Sequence, residues 1–158
     1  MKPITTCLWF DTEGEEAATL YTSLIENSRI LDITHYGEAG PRAAGTVMTV
    51  GFELNGQEYV ALNGGPGRTF NESISLQVPC EDQAEVDRLW DGLIADGGEE
   101  SQCGWLKDKF GVSWQIISTV LSELLGDPDP QKSHRAMQAM LGMTKIDIEA
   151  LRRAADRG

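Results

Sequence analysis

SISLQVPCEDQAEVDRLWDGLIADGG, Ser73 to Gly98, decides how the chain is read. Its first six residues alternate between polar and apolar, the pattern of a strand with two different faces. Asp82, with Glu85 three residues on, predicts a helix start, because a carboxylate there accepts a backbone N–H that the first turn leaves unpaired. Val86, Leu89, Trp90, Leu93 and Ile94 then recur at helical spacing, and Gly97-Gly98 ends the run. A strand that feeds a capped helix also occurs upstream. Ile4–Phe10 reads as a strand, Thr12 and Glu15 as a capping box, and Ala17, Leu20, Tyr21, Leu24 and Ile25 as one helical face.

The segments after the two helices are alike too. After the first come Arg29–Tyr36, the loop EAGPRAAG (38–45), and two runs, Thr46–Leu54 and Gln57–Asn63, around the hairpin signal Asn55-Gly56. A Gly-rich loop, GGPGR (64–68), closes that half. After the second come Gln102–Asp108 and Val112–Ile117 around Gly111. The order strand, helix, strand, strand, strand is therefore expected twice, over about 1–66 and 67–118, making one α+β domain over 1–118. The tail, 119–158, is expected to pack on the domain or a dimer. It reads as three short helices over Ser118–Asp127, Ser133–Met143 and Thr144–Arg157, with DPDPQ breaking the first two apart and Thr144 and Asp147 as a capping pair.

Bulk properties bound the function. The chain has 158 residues, 41% of them hydrophobic, which suits one domain with a real core. Asp plus Glu number 25 against 13 Lys plus Arg, a net charge of -12 that argues against nucleic acid and anionic membranes as partners. No apolar run is long enough to span a bilayer, and the N-terminus does not read as a signal peptide. Three cysteines without CxxC spacing make a disulfide framework unexpected, and a reducing cytoplasm is the default.

Strand alternation assigns faces. Leu8 and Phe10 oppose Thr5, Cys7 and Trp9; Val60 and Leu62 oppose Tyr59, Ala61 and Asn63. Ile74, Leu76 and Val78 oppose Ser73, Ser75 and Gln77; Val112, Trp114 and Ile116 oppose Ser113, Gln115 and Ile117. The first set of each pair is expected under the helices. The second mixes small polar groups with aromatics, as in the lining of a ligand cavity. A partly wet sheet face whose Ser and Thr merely suit strands is the plainer alternative.

CLWFDTEGEEAATLY, ALNGGP, CEDQAEVDRLWDGLIADGG with QCGWLKDKFGVSWQI, and AMQAMLGMTKIDIEALRRA resemble the PhnB-like family. That family, often labelled 3-demethylubiquinone-9 3-methyltransferase, lies in the glyoxalase/bleomycin-resistance/dioxygenase (vicinal oxygen chelate) superfamily. The resemblance implies paired βαβββ modules forming curved mixed sheets around a cavity, and a homodimer. It also implies that metal-using relatives place ligands near Thr5, at Asn63, near Ser73 and at Gln115 of this chain. None of these is a His or a carboxylate, so no cofactor is expected, with a divalent metal as the lesser alternative. His35 and His134 match no ligand position.

No GxSxG, no Ser–His or Cys–His pairing and no Gly-rich strand-to-helix turn identifies a catalytic residue. The reading preferred from these residues is metal-free binding of a small molecule by Thr5, Cys7, Trp9, Tyr59, Asn63, Ser73, Ser75 and Gln115. The alternatives are a metal-dependent lyase, isomerase or dioxygenase, the labelled methyltransferase, or a structural dimer with a vestigial cavity.

Overall fold

The five-element order expected from Ser73–Gly98 occurs twice in the computed structural model, which describes residues 1–157. The chain divides into two units, Met1–Thr69 and Phe70 onward. In the first, β1 (Thr6–Phe10) leads into α1 (Gly14–Leu24), followed by β2 (Arg29–His35), β3 (Val47–Leu54) and β4 (Gln57–Asn63). The sheet order is β1-β4-β3-β2, with β1 parallel to β4 and the other pairs antiparallel. In the second, β5 (Ser75–Cys80) leads into α2 (Gln83–Ile94), then β6 (Glu99–Glu100), β7 (Trp105–Lys107) and β8 (Ser113–Ser118). Its order, β5-β8-β7-β6, repeats the first with β5 parallel to β8. The five-element order called for a strand here, but the sequence did not locate it, because EE carries no strand pattern.

Each sheet buries one face under its helix. In the first, Ala17, Ala18 and Tyr21 of α1 meet Val50, Phe52 and Ala61, all essentially inaccessible. Tyr59 stacks on Phe52 with ring centroids 5.4 Å apart, and Tyr21 packs against the same ring. In the second, Val86, Leu89, Trp90 and Leu93 of α2 cover the side that holds Leu106, Trp114 and Ile116.

The two helices start differently. Asp82 caps α2 as expected, its Oδ1 accepting the Glu85 N–H at 2.8 Å, and Glu85 reaches back to the Glu81 N–H. The Thr12–Glu15 capping box does not form: α1 has Glu13 at its N-cap and no side-chain cap bond there. Asn63, at the far end of β4, supplies the acceptor instead. Its Oδ1 takes the Gly14 N–H at 2.8 Å, so that start is capped by a residue 49 positions away.

The β7–β8 turn is braced by a buried carboxylate. Asp108 is 3% exposed; its Oδ1 accepts the Phe110 and Val112 N–H groups and its Oδ2 the Trp114 indole N–H. The equivalent β3–β4 turn has no buried carboxylate: Asn55 and Gly56 are both at positive φ, as a two-residue hairpin requires, and the Asn55 N–H donates to Ser28 Oγ at 3.2 Å.

The tail forms α3 (Thr119–Leu125), α4 (Pro130–Leu141) and α5 (Ile148–Asp156), which pack on one another within the second unit. Pro130 is the first residue of α4, where its missing N–H does no harm, and Asp129 caps that helix. Asp147 caps α5 alone, by accepting the Ala150 N–H. Gln83 of α2 clasps the segment before α5, donating to the Ile146 carbonyl and accepting from the Ile148 N–H, each at 2.9 Å.

Candidate functional site

The ladder registers show which side chains share the uncovered face of each sheet. In the second sheet they make two rows. Gln77, Gln115 and Trp105 are directly aligned across β5, β8 and β7, and Ser75, Ser113, Lys107 and Glu99 are aligned across β5, β8, β7 and β6. Leu76, Val78, Trp114 and Ile116 face the other way, so alternation assigned this pair of strands correctly from Ser75 to Gln115.

Gln115 lies at the centre. Its Nε2 donates to Ser75 Oγ at 2.7 Å, and its Oε1 accepts from Gln77 Nε2 at 3.2 Å. A primary amide has two N–H groups and two lone pairs, so both ends keep bonding capacity after these contacts. The amide is held in one orientation, is half-exposed, and has the half-buried Trp105 indole beside it in the row. Chemically, such an uncharged amide can hydrogen-bond a carbonyl, amide or hydroxyl.

Ser73 does not join it. It precedes β5, is exposed, and its N–H bonds the Asn71 side chain in a local turn. Ile74, expected under the helix, is 70% exposed for the same reason. At the other end of the chain Thr5 likewise stands exposed before β1.

In the first sheet the face assignment of β1 holds and that of β4 is reversed. Tyr59, Ala61 and Asn63 are buried on the α1 side, and Val60 and Leu62 share the uncovered face with Cys7 and Trp9. The reason is packing: Tyr59 has Phe52 to stack on, and Asn63 has a helix N-terminus to satisfy. A polar residue at a strand end satisfies buried backbone as readily as it lines a cavity, and the sequence pattern is the same for both. The Asn63 Nδ2 also donates to the Val47 carbonyl. Desolvation raises the pKa of the Tyr59 phenol.

Trp9 is on the predicted face, 36% exposed, but its polar handle is taken. Its indole N–H donates to the Gly65 carbonyl at 2.9 Å, and the Arg68 guanidinium sits 5.3 Å from the ring centroid. Gly64 lies flat on the ring, so close that a Cβ there would collide with it. The GGPGR loop is thus wrapped around Trp9. Cys7 is exposed by area, but desolvation by its neighbours raises its pKa and keeps the thiol protonated. Sequence reasoning missed three polar groups on this face. The Asp32 carboxylate lies across Gly51, and the Thr34 and Thr49 hydroxyls bond each other. The alternation in ILDITH could have flagged Asp32 and Thr34.

The residues fit a divalent ion poorly. Gln115, Gln77 and Ser75 offer only neutral oxygens, already bonded to one another, where a hard dication needs anionic ones. Among the described residues no three His, Cys, Asp or Glu side chains are placed closely enough to hold a metal ion together.

Two parallel-edged βαβββ sheets define the class, the paired-module arrangement of the glyoxalase/bleomycin-resistance fold. The chain belongs to the 3-demethylubiquinone-9 3-methyltransferase family, which it matches over residues 2–117. It is 38% identical to the PhnB protein of Bacillus cereus, over 75% of this chain and 100% of that one, with a TM-score of 0.68. A Pseudomonas aeruginosa protein of solved structure is 19% identical over 75% and 98% of the two chains, TM-score 0.61, a likeness of fold alone. No curated protein matches. The family match ends before α3, so AMQAMLGMTKIDIEALRRA lies outside it.

Proposed function

We propose that this protein binds a small molecule on the uncovered face of its second sheet without using a metal ion. Gln115 holds the ligand's carbonyl, amide or hydroxyl, and the Trp105 ring packs beside it. The observation that carries this reading is the Ser75–Gln115–Gln77 chain, which fixes an amide at a half-exposed position. Orienting a neutral group in advance reduces the entropy lost when a ligand docks. In this reading Ser75, Gln77 and Trp105 belong to the site with Gln115. A homodimer and a cytoplasmic location belong to the same reading. No helix of the described residues is long and apolar enough to cross a membrane.

The activity in the family's name is the second reading, and its methyl donor would need a nucleoside cradle. The one Gly-rich loop is already wrapped on Trp9 and leads toward β5, not into a helix N-terminus.

The test is a fragment screen by ligand-observed NMR on untagged protein in EDTA, repeated with Gln115→Leu. Saturable binding in EDTA that the variant loses supports the proposal. Binding that appears only on adding a divalent ion overturns it, and calorimetric uptake of S-adenosylmethionine would restore the methyltransferase reading.

A further inference from the structure

Ser113 is an anomaly in the second sheet. It is 1% exposed, and its Oγ is the one buried side-chain oxygen or nitrogen among the described residues with no hydrogen-bond partner. A hydroxyl withdrawn from water without a partner costs about 1–3 kcal/mol, so a partner is expected. Ser113 lines a recess of about 160 Å³, room for several waters. Glu72, Glu99, Glu100, Trp105 and Lys107 line the recess with it. Glu100 accepts the buried Trp90 indole N–H, which fixes that carboxylate in place. Lys107 pairs with Glu72 at 2.5 Å and stands opposite Glu99 in the ladder.

Three carboxylates surround one ammonium, so the lining is anionic by about two charges and selects against anions. An aromatic wall also suits a cation. The Ser113 hydroxyl can donate or accept, and as an acceptor it can take a hydrogen bond from a primary ammonium but not from a quaternary one, which carries no N–H. We propose that this recess binds the primary ammonium group of a small amine, which donates to Ser113 Oγ and is neutralised by Glu99 and Glu72. Gln115 plays no part in it, although the two sites share Trp105 and a two-headed ligand could span both.

The experiment is a titration with ethylammonium chloride near pH 7, followed by amide NMR shifts, with tetramethylammonium and sodium chlorides as controls at matched ionic strength. Saturable shifts at Lys107 and Ser113 are expected with ethylammonium alone. Glu99→Gln, at an exposed position, should weaken them about tenfold, and Ser113→Ala severalfold, in line with loss of a charged and a neutral partner. Gln115→Leu should leave them unchanged while abolishing the neutral ligand, so the two proposals fail separately. Equal shifts with sodium or tetramethylammonium, no saturation, or undiminished binding by Glu99→Gln would overturn the assignment.

Discussion

The two modules share a ladder but use it differently, and the fourth strand of each shows how. The parallel pair β1–β4 ends at Phe10 opposite Asn63, and β5–β8 ends at Cys80 opposite Ser118. Aligned on those ends, Asn63 corresponds to Ser118. Both are buried, and both accept a backbone N–H at a helix start: Asn63 from Gly14 of α1, Ser118 from Val120 of α3. Three residues back, Gln115 corresponds to Val60, and Gln77 to Cys7. The two amides that look like a matched pair in the sequence therefore occupy different rungs on opposite faces. One holds a helix, and the other faces outward with an aromatic beside it. Similar residue types on repeated strands become comparable only once their rungs are known.

The sharpest way to break the comparison is at the turns. Module one makes its β3–β4 turn from two residues at positive φ with one exposed bond from the Asn55 N–H to Ser28 Oγ, and module two depends on the buried Asp108. Asp108→Ala leaves three donors without their acceptor and is expected to cost about 3–5 kcal/mol in urea unfolding. A loss below about 1 kcal/mol would show that the turn forms without its carboxylate. Next is Asn63→Ala, which removes the long-range cap of α1 and the donor to the Val47 carbonyl. About 1–3 kcal/mol should be lost, and ligand binding by the second sheet should be kept. Gln115→Leu is the converse: a stability change of about 1 kcal/mol or less at a half-exposed position, with loss of the neutral ligand. If Asn63→Ala abolished binding and Gln115→Leu did not, the roles given to the two amides would be exchanged.

The smallest effect concerns pH. Hydrogen bonds from Lys145 and Gln83 lower the Asp87 pKa, in a group near the surface. A depressed carboxylate pKa stabilises the folded state above its unfolded value and ceases to as pH falls through the folded one. Tail docking on α2 should therefore loosen only in acid, below the ordinary Asp range. Asp87→Asn should make the tail's susceptibility to protease independent of pH there, and an unchanged profile would remove Asp87 from that role.

The doubled fold was legible because apolar spacing and local capping encode it within a few residues, as Asp82 and Glu85 illustrate. The uncovered face of β5 and β8 was legible because Leu76, Val78, Trp114 and Ile116 leave no ambiguity about the core side. In β4 the two faces, Tyr59-Ala61-Asn63 and Val60-Leu62, carry similar apolar weight. Only the long-range partners Phe52 and Gly14 decide between them, and such partners are invisible to alternation. Thr5 and Ser73 are a different case: each strand starts two residues later than its apolar pattern suggests, so both residues precede their strands, and Ser73 takes a local turn bond instead. The Ser113 recess depends on β6, whose two glutamates have no apolar signal at all.

The tail's attachment has one more consequence. The Cys103 and Gly104 N–H groups donate to the carbonyls of Met143 and Thr144, each at 2.8 Å, and these bonds lie outside any strand ladder. Their exchange with deuterium then times how often the last helix lets go, separately from global unfolding. Two backbone amides inside the family-matched region therefore act as a clock for the segment beyond it.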